Sequence, residues 1–230
     1  GIDVESIILE PEAKNTFPAI TVASILALKK NKSENFIVTP SDHYISLNKS
    51  FHDCCLVAMS NLDKSGLILM GVVPKYPSED FGYISTSTQD TEIKAVESFI
   101  EKPNIEKSKK LINNPNVYWN AGIFIFNGSW YIKNLNRINN KALEEITKVV
   151  KEGTKKSNLF YPNIDLFSNL NKLSFDKEFV EKNVSSYMVN LNAGWSDLGS
   201  WSSLSTLQRD PNSSMTLYSE GSYDRQEKPW

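Results

Sequence analysis

The chain has 230 residues, a formal net charge of -2, 40% hydrophobic residues and 23% charged ones. That length holds one large domain, or one domain plus the start of another, and the composition is that of a globular protein with a real core. The near-balance of charge gives no reason to expect nucleic acid or a membrane as partner, so any anionic ligand must be drawn by a local arrangement of charge. No apolar run is long enough to span a bilayer and no secretory signal is read, so a cytoplasmic location is expected. Cys54 and Cys55 are sequence neighbours, which disulfide geometry disfavours, and they read as packed thiols.

Ile7-Ile8-Leu9 reads as a short buried strand stopped by Glu10-Pro11. Thr16 to Leu28 has a helical apolar face, with Pro18 tolerated in the first turn. Phe36 to Thr39 reads as a buried strand closed by Pro40-Ser41-Asp42, Ser50 to Leu62 as a helix and Leu67 to Val73 as a strand. Alternation at this spacing predicts crossover connections and a mostly parallel sheet. Gly82 to Ser85 and Ile93 to Ile100 read as strands of a β-rich insert, and Lys107 to Asn113 as a short helix. Gly122 to Phe126 is a strongly apolar strand, followed by helices over Ser129 to Asn139 and Lys141 to Gly153. Ser185 to Leu191 is a further strand, Gly194 to Trp201 a Gly- and Trp-rich turn, and Leu204 to Gln208 a helix ended by Asp210-Pro211. From Asn212 on, the sequence is polar and aperiodic. The domain is therefore expected over residues 1–210, with 211–230 a linker or the start of a second, β-rich domain.

Two aspartates stand at predicted strand ends. In open α/β sheets ligands sit in the crevice beyond the strands, where Asp42 follows a buried strand. Mg²⁺ prefers one or two carboxylates and leaves its other positions to phosphates and water. Asp42 alone would serve equally well as a turn or helix cap. Asp197 lies in Asn192-Ala-Gly-Trp-Ser-Asp-Leu-Gly-Ser-Trp201, a rigid turn in which glycines let backbone approach a ligand and Trp195 and Trp201 either wall a site or pack. The pair could converge on one metal bridging phosphates. Phe99-Ile-Glu-Lys-Pro103 ends a strand with an acid and a base: Lys102 suits a phosphate and Glu101 suits sugar hydroxyls, the plain alternative being a surface ion pair. Asn120 can offer its amide to a hydroxyl, and Gly82 a close backbone approach. Between the first strand and helix, the carboxylate of Glu10, the rigid Pro11, and the polar Asn15 and Thr16 suit the edge of a guanine, or else Asn15 and Thr16 cap the helix.

In this order, the segments resemble the bacterial mannose-1-phosphate guanylyltransferases. The resemblance rests on Glu10-Pro-x-x-Lys-Asn-Thr16 with Pro18-Ala19, Pro40-Ser-Asp-His43, Gly82-Tyr83-Ile84 and Phe99-Ile-Glu-Lys-Pro103. It continues through Trp119-Asn-Ala-Gly-Ile-Phe124, Ser174-x-Asp176 with Glu181-Lys182, and Gly194-Trp-Ser-Asp-Leu-Gly-Ser-Trp201. It implies a Rossmann-like, GT-A-like nucleotidyltransferase sheet with a sugar-binding β-rich part, and GTP and mannose 1-phosphate as substrates. Glu10, Pro11, Asn15, Thr16 and Asp42 would face the nucleotide, and Gly82, Glu101, Lys102, Asn120 and Asp197 the sugar phosphate. Asp42 and Asp197 would hold Mg²⁺ or another divalent cation; with Lys102 they are the candidate catalytic residues. A homodimer is compatible with this reading.

The family opens with a strand and a Gly-rich loop whose Arg and later Lys grip the triphosphate; residues 1–6 supply neither. Residues 1–230 by themselves are therefore expected to be inactive. Ala121 stands where Ser is common in relatives, and Arg225 to Trp230 resembles the start of the extra domain of longer ones. Two other readings remain open: activation of a different sugar or base on the same fold, and a non-catalytic subunit that binds nucleotide sugars.

Overall fold

The computed structural model describes residues 4–30, 34–87, 91–182 and 185–199. In chain order these form β1 (Ile7–Ile8), α1 (Thr16–Leu28), β2 (Asn35–Val38), β3 (Tyr44–Ile45), α2 (Asn48–Ser60), α3 (Leu62–Ser65), β4 (Leu67–Val72), β5 (Tyr83–Thr86) and β6 (Ile93–Ile100). Then follow α4 (Ile105–Leu111), β7 (Val117–Asn127), α5 (Gly128–Ile138), α6 (Asn140–Lys151), β8 (Thr154–Lys156), β9 (Leu159–Tyr161) and α7 (Ile164–Ser168). A single π-helical turn, Asp176–Val180, precedes β10 (Tyr187–Asn190) and β11 (Trp195–Ser196). The helix expected over Leu204–Gln208 and the expected linker lie outside the described residues, as does Trp201.

The main sheet has the order β2-β7-β4-β10-β6-β5, and β5 also pairs with β7. It is mixed, which corrects the expectation of a mostly parallel sheet. β2, β4 and β10 do share one direction, and β4 and β10 pair in parallel. The long strand β7, however, lies between β2 and β4 antiparallel to both, and β6 is antiparallel to β10. Alternating strands and helices predict the direction of the crossover strands but not which later strand inserts between them. The expected β-rich insert is likewise part of the main sheet: β6 joins β10, β5 joins β6, and β5 returns to β7, closing a circuit.

Pleating explains why β4 and β7 are apolar on both faces. Leu67 and Leu69 join Phe124 and Phe126 beneath α1, α5 and α6, while Ile68 and Met70 join Ile123 and Ile125 beneath α2 and α3. Burying each such side chain contributes about 1.5–3 kcal/mol. On α6 the buried positions Ala142, Leu143, Ile146, Val149 and Val150 recur at helical spacing. Two expected buried strands are exposed instead. β2 is the edge of the sheet, with Ile37 43% exposed, and β1 leaves the main sheet to pair in parallel with β9. Three apolar residues in a row cannot distinguish an edge strand from a central one.

Candidate active site

Two sheet ladders assemble one side of the site. Tyr83 pairs with Ile100 on β6 and with Trp119 on β7. One antiparallel step further, Gly82 comes to lie between Glu101 and Asn120, and the Asn120 backbone amide donates to the Gly82 carbonyl at 2.8 Å. Three motifs far apart in sequence thus share one rung. A side chain at position 82 would have its Cβ 2.8 Å from Glu101 Oε2 and 2.9 Å from Phe99 Cζ, so the glycine leaves room for the carboxylate. Asn120 is tied at both ends: Nδ2 donates to Asp176 Oδ1 at 2.7 Å, and Oδ1 accepts from the Gly122 amide at 3.2 Å. Burial, reinforced by the nearby Asp176 charge, pushes the Glu101 carboxyl up to about 7 against the opposing pull of Lys102 and Lys177. Burial raises Asp176 as well, although Asn120 and Lys102 favour its ionised form.

The other side is a short ribbon. β11 pairs antiparallel with β3, Trp195 opposite Ile45 and Ser196 opposite Tyr44, and the Ser46 and Leu47 amides extend it to Gly194 and Ala193. Continuing past Ser196 sets Asp197 opposite His43, with Asp42 next in the chain. Gly194 enters the ribbon at φ 62°, in the left-handed region, where a Cβ would overlap Ser46 Oγ. Burial lowers the pKa of His43 against the opposing charges of Asp42 and Asp197, so the imidazole is neutral at pH 7. Its Nδ1 accepts from Trp195 Nε1 at 3.1 Å, and it also bonds the Ala121 backbone.

Both sides line one cleft of about 590 Å³. Of the residues expected from sequence, Asn15, Thr16, Gly82, Glu101, Lys102, Asn120 and Asp197 border it. Asp42 stands beside it, close enough to act on His43. Glu10 and Pro11 are exposed and are not among its lining residues. Asn15 also caps α1, its Oδ1 accepting from the Thr16 amide at 2.8 Å, and the Thr16 hydroxyl accepts from the Phe175 amide at 2.9 Å.

The cleft gains residues that sequence reasoning gave no role: His43, Phe81, Lys172, Asp176 and Lys177. His43 and Asp176 lie inside motifs that carry the family resemblance. Lys172 had no signal, because a lone lysine in a polar stretch reads as a solvated surface. Lys102, Lys172 and Lys177 form no ion pair among the described residues, which leaves three cations for an anionic ligand. Phe81, Trp195 and His43 line the cleft within an aromatic chain that Trp119 and Tyr76 continue behind it: Tyr76 packs on Trp119, Trp119 on Phe81, Phe81 on Trp195 and Trp195 on His43, with centroids 4.8–5.5 Å apart.

A nucleotidyl transferase family model matches residues 2–214. The chain belongs to the nucleotidyl transferase family. The mannose-1-phosphate guanylyltransferase of Escherichia coli (strain K12) is 33% identical over 208 residues, which cover 87% of the chain and 43% of that protein. The xanthan biosynthesis protein XanB of Xanthomonas campestris pv. campestris (strain B100) is 32% identical over 204 residues, covering 89% and 44%. The chain thus spans less than half the length of these curated relatives. Among solved structures, a Helicobacter pylori protein described as mannose-6-phosphate isomerase superposes with a TM-score of 0.76 at 26% identity, covering 82% of this chain and 74% of that one. The resemblance drawn from the motifs is borne out by relatives that carry the guanylyltransferase name. Among the described residues no helix is long and apolar enough to cross a membrane.

Proposed function

We propose that this domain belongs to a mannose-1-phosphate guanylyltransferase, which joins GTP and mannose 1-phosphate to give GDP-mannose and pyrophosphate. The observation that carries the reading is the convergence of Glu101, Gly82 and Asn120 with Asp197 and three lysines, unpaired among the described residues, around a single cleft. The first group offers hydrogen-bond partners to sugar hydroxyls, the lysines offer charge to phosphates, and Asp197 offers a carboxylate to a cation. The names of the relatives support the choice of sugar and base.

In this reading a phosphate oxygen of the sugar attacks the α-phosphorus of GTP. A new P–O bond forms as the bond to the bridging oxygen breaks, and pyrophosphate leaves with the electron pair. The nucleophile is already anionic, so no general base is required and the protein acts by positioning and charge. Lys102, which follows the strand end beside Glu101, holds the sugar phosphate. Asn120 and Glu101 orient the hydroxyls, and the aromatic wall of Phe81 and Trp195 excludes water. Asn15 and Thr16, at the start of α1, face the nucleotide, as does Asp42; Glu10 and Pro11 complete the guanine edge from outside the cleft lining.

The donor set suits a divalent, oxygen-seeking cation. Asp42 and Asp197 both act on His43 from the same end of the ribbon, while the imidazole is engaged by Trp195 and Ala121. The described residues contain no group of three or more acidic, histidine or cysteine side chains set for a metal. Two carboxylates with the remaining positions left to phosphates match Mg²⁺. Asp42 and Asp197 would hold such a cation, which would offset the negative charge of the phosphates. The test is pyrophosphate release by the full-length gene product, across a panel of nucleoside triphosphates and sugar 1-phosphates. GTP with mannose 1-phosphate should give the highest kcat/KM; a higher value for another pair would reassign the substrates.

A further inference from the structure

The π-helical turn Asp176–Val180 brings an acidic side chain into the cleft at a point the proposed reaction leaves without a role. Asp176 sits against Asn120 and within electrostatic range of Glu101. Single π turns commonly occur where a helix is adjusted to place a functional side chain. The turn is firmly held: Phe175 before it and Phe179 within it are fully buried, and buried Glu178 accepts from Asn139 at 2.6 Å and pairs with Lys182 at 2.9 Å.

We propose that Asp176 is the positioning residue of the sugar side of this cleft: it fixes the Asn120 carboxamide in one orientation and completes, with Glu101, a carboxyl pair for neighbouring sugar hydroxyls. Donors and acceptors decide the carboxamide. Asn120 Nδ2 donates to Asp176 and Oδ1 accepts from the Gly122 amide. Turning the amide over would set its oxygen against a carboxylate and its NH₂ against an N–H, losing both bonds. The second Nδ2 hydrogen has no partner among the described residues and is available to a ligand.

Charge decides the carboxyl pair. Glu101 faces Asp176 and Glu181, which disfavour its ionised form, and Lys102 and Lys177, which favour it; burial and Asp176 prevail. Burial raises both carboxyls and each charge disfavours the other, so the pair resists double ionisation and offers sugar hydroxyls one proton donor beside one acceptor. The sugar part of this assignment rests on the guanylyltransferase reading; the carboxyl coupling does not.

The test has two arms, both on the full-length gene product. Carbon-13 NMR follows the Glu101 carboxyl, assigned by its disappearance in Glu101→Gln. The wild-type midpoint near 7 should fall by roughly one unit in Asp176→Asn, which removes the charge and keeps an acceptor for Asn120. In steady-state kinetics Asp176→Ala should raise KM for mannose 1-phosphate about tenfold with KM for GTP within about twofold. Asp176→Asn should recover most of that loss on the acid side of the shifted midpoint. An unmoved Glu101 titration in Asp176→Asn, or equal losses of both KM values in Asp176→Ala, overturns the proposal. Wild type that titrates as stated but uses no mannose 1-phosphate sinks the guanylyltransferase reading and the sugar assignment with it, leaving the coupling of the two carboxyls in place.

Discussion

The two sides of the cleft are built by different means. The Glu101–Gly82–Asn120 side stands on three strands of a closed circuit, where backbone ladders set the height of each residue and hydrogen bonds to Asp176 and Gly122 fix the Asn120 side chain. The Asp42–His43–Asp197 side stands on a two-residue ribbon, and among the described residues no hydrogen bond or ion pair engages the Asp197 carboxylate. A carboxylate left without protein partners at a cleft rim can be engaged by a ligand without breaking any protein contact. The first side is organised before substrate arrives, whereas the second is completed by what binds there.

The largest effect should therefore come from the second side. Asp197→Asn changes a carboxylate that no described residue hydrogen-bonds or pairs with. The full-length gene product should lose at least about a hundredfold in metal-dependent turnover, while its unfolding midpoint stays close to wild type. Turnover within a few-fold of wild type would remove Asp197 from the metal site. Next comes Lys102→Ala. Lys102 adopts φ 43°, an uncommon conformation for a non-glycine residue at the end of β6, and no described carboxylate pairs with it. Loss of its charge should lower kcat/KM for the sugar phosphate about tenfold to a hundredfold; a variant unchanged at all phosphate concentrations would leave Lys102 a surface residue.

Gly194→Ala tests the ribbon itself. The positive φ costs a Cβ-bearing residue about 1–2 kcal/mol, and Ser46 must turn its hydroxyl out of the space the new methyl takes. A loss of about 2 kcal/mol in urea unfolding, with weaker Mg²⁺ activation, is expected. Loss of stability with unaltered Mg²⁺ activation would show that the ribbon does not set the distance between Asp42 and Asp197.

Much of this contrast was legible in the residues. Helical spacing gave α1 with the same bounds as observed, and Glu101, Lys102, Gly82, Asn120 and Asp197 were singled out by residue type at strand ends and do border one cleft. What was not legible has a common cause. The insertion of β7 between β2 and β4 depends on pairing across about 90 residues, which no local period encodes. The strands of the β8–β9 hairpin, three residues each, are too short to show a period, and β8 is polar as well. Asp176 stood in a family motif, but its approach to Asn120 depends on a π turn, and the extra residue of such a turn defeats a 3.6-residue reading.

The smallest expected effect separates the two sides by pH. The Glu101 carboxyl is raised from 4.5 to about 7 in the folded protein, chiefly by burial. Between those values the folded state holds a proton that the unfolded chain has released, so stability falls as pH rises through that window. The contribution is complete below about 4.5 and lost above about 7. Gln is neutral throughout, so the stability of Glu101→Gln relative to wild type should rise between about pH 4.5 and pH 8. The expected gain is on the order of 1 kcal/mol, because partial exposure screens much of the full shift. Urea unfolding at both pH values measures it. A difference that stays flat with pH would mean that water reaches Glu101 freely, and the sugar side would then be no more organised in advance than the metal side.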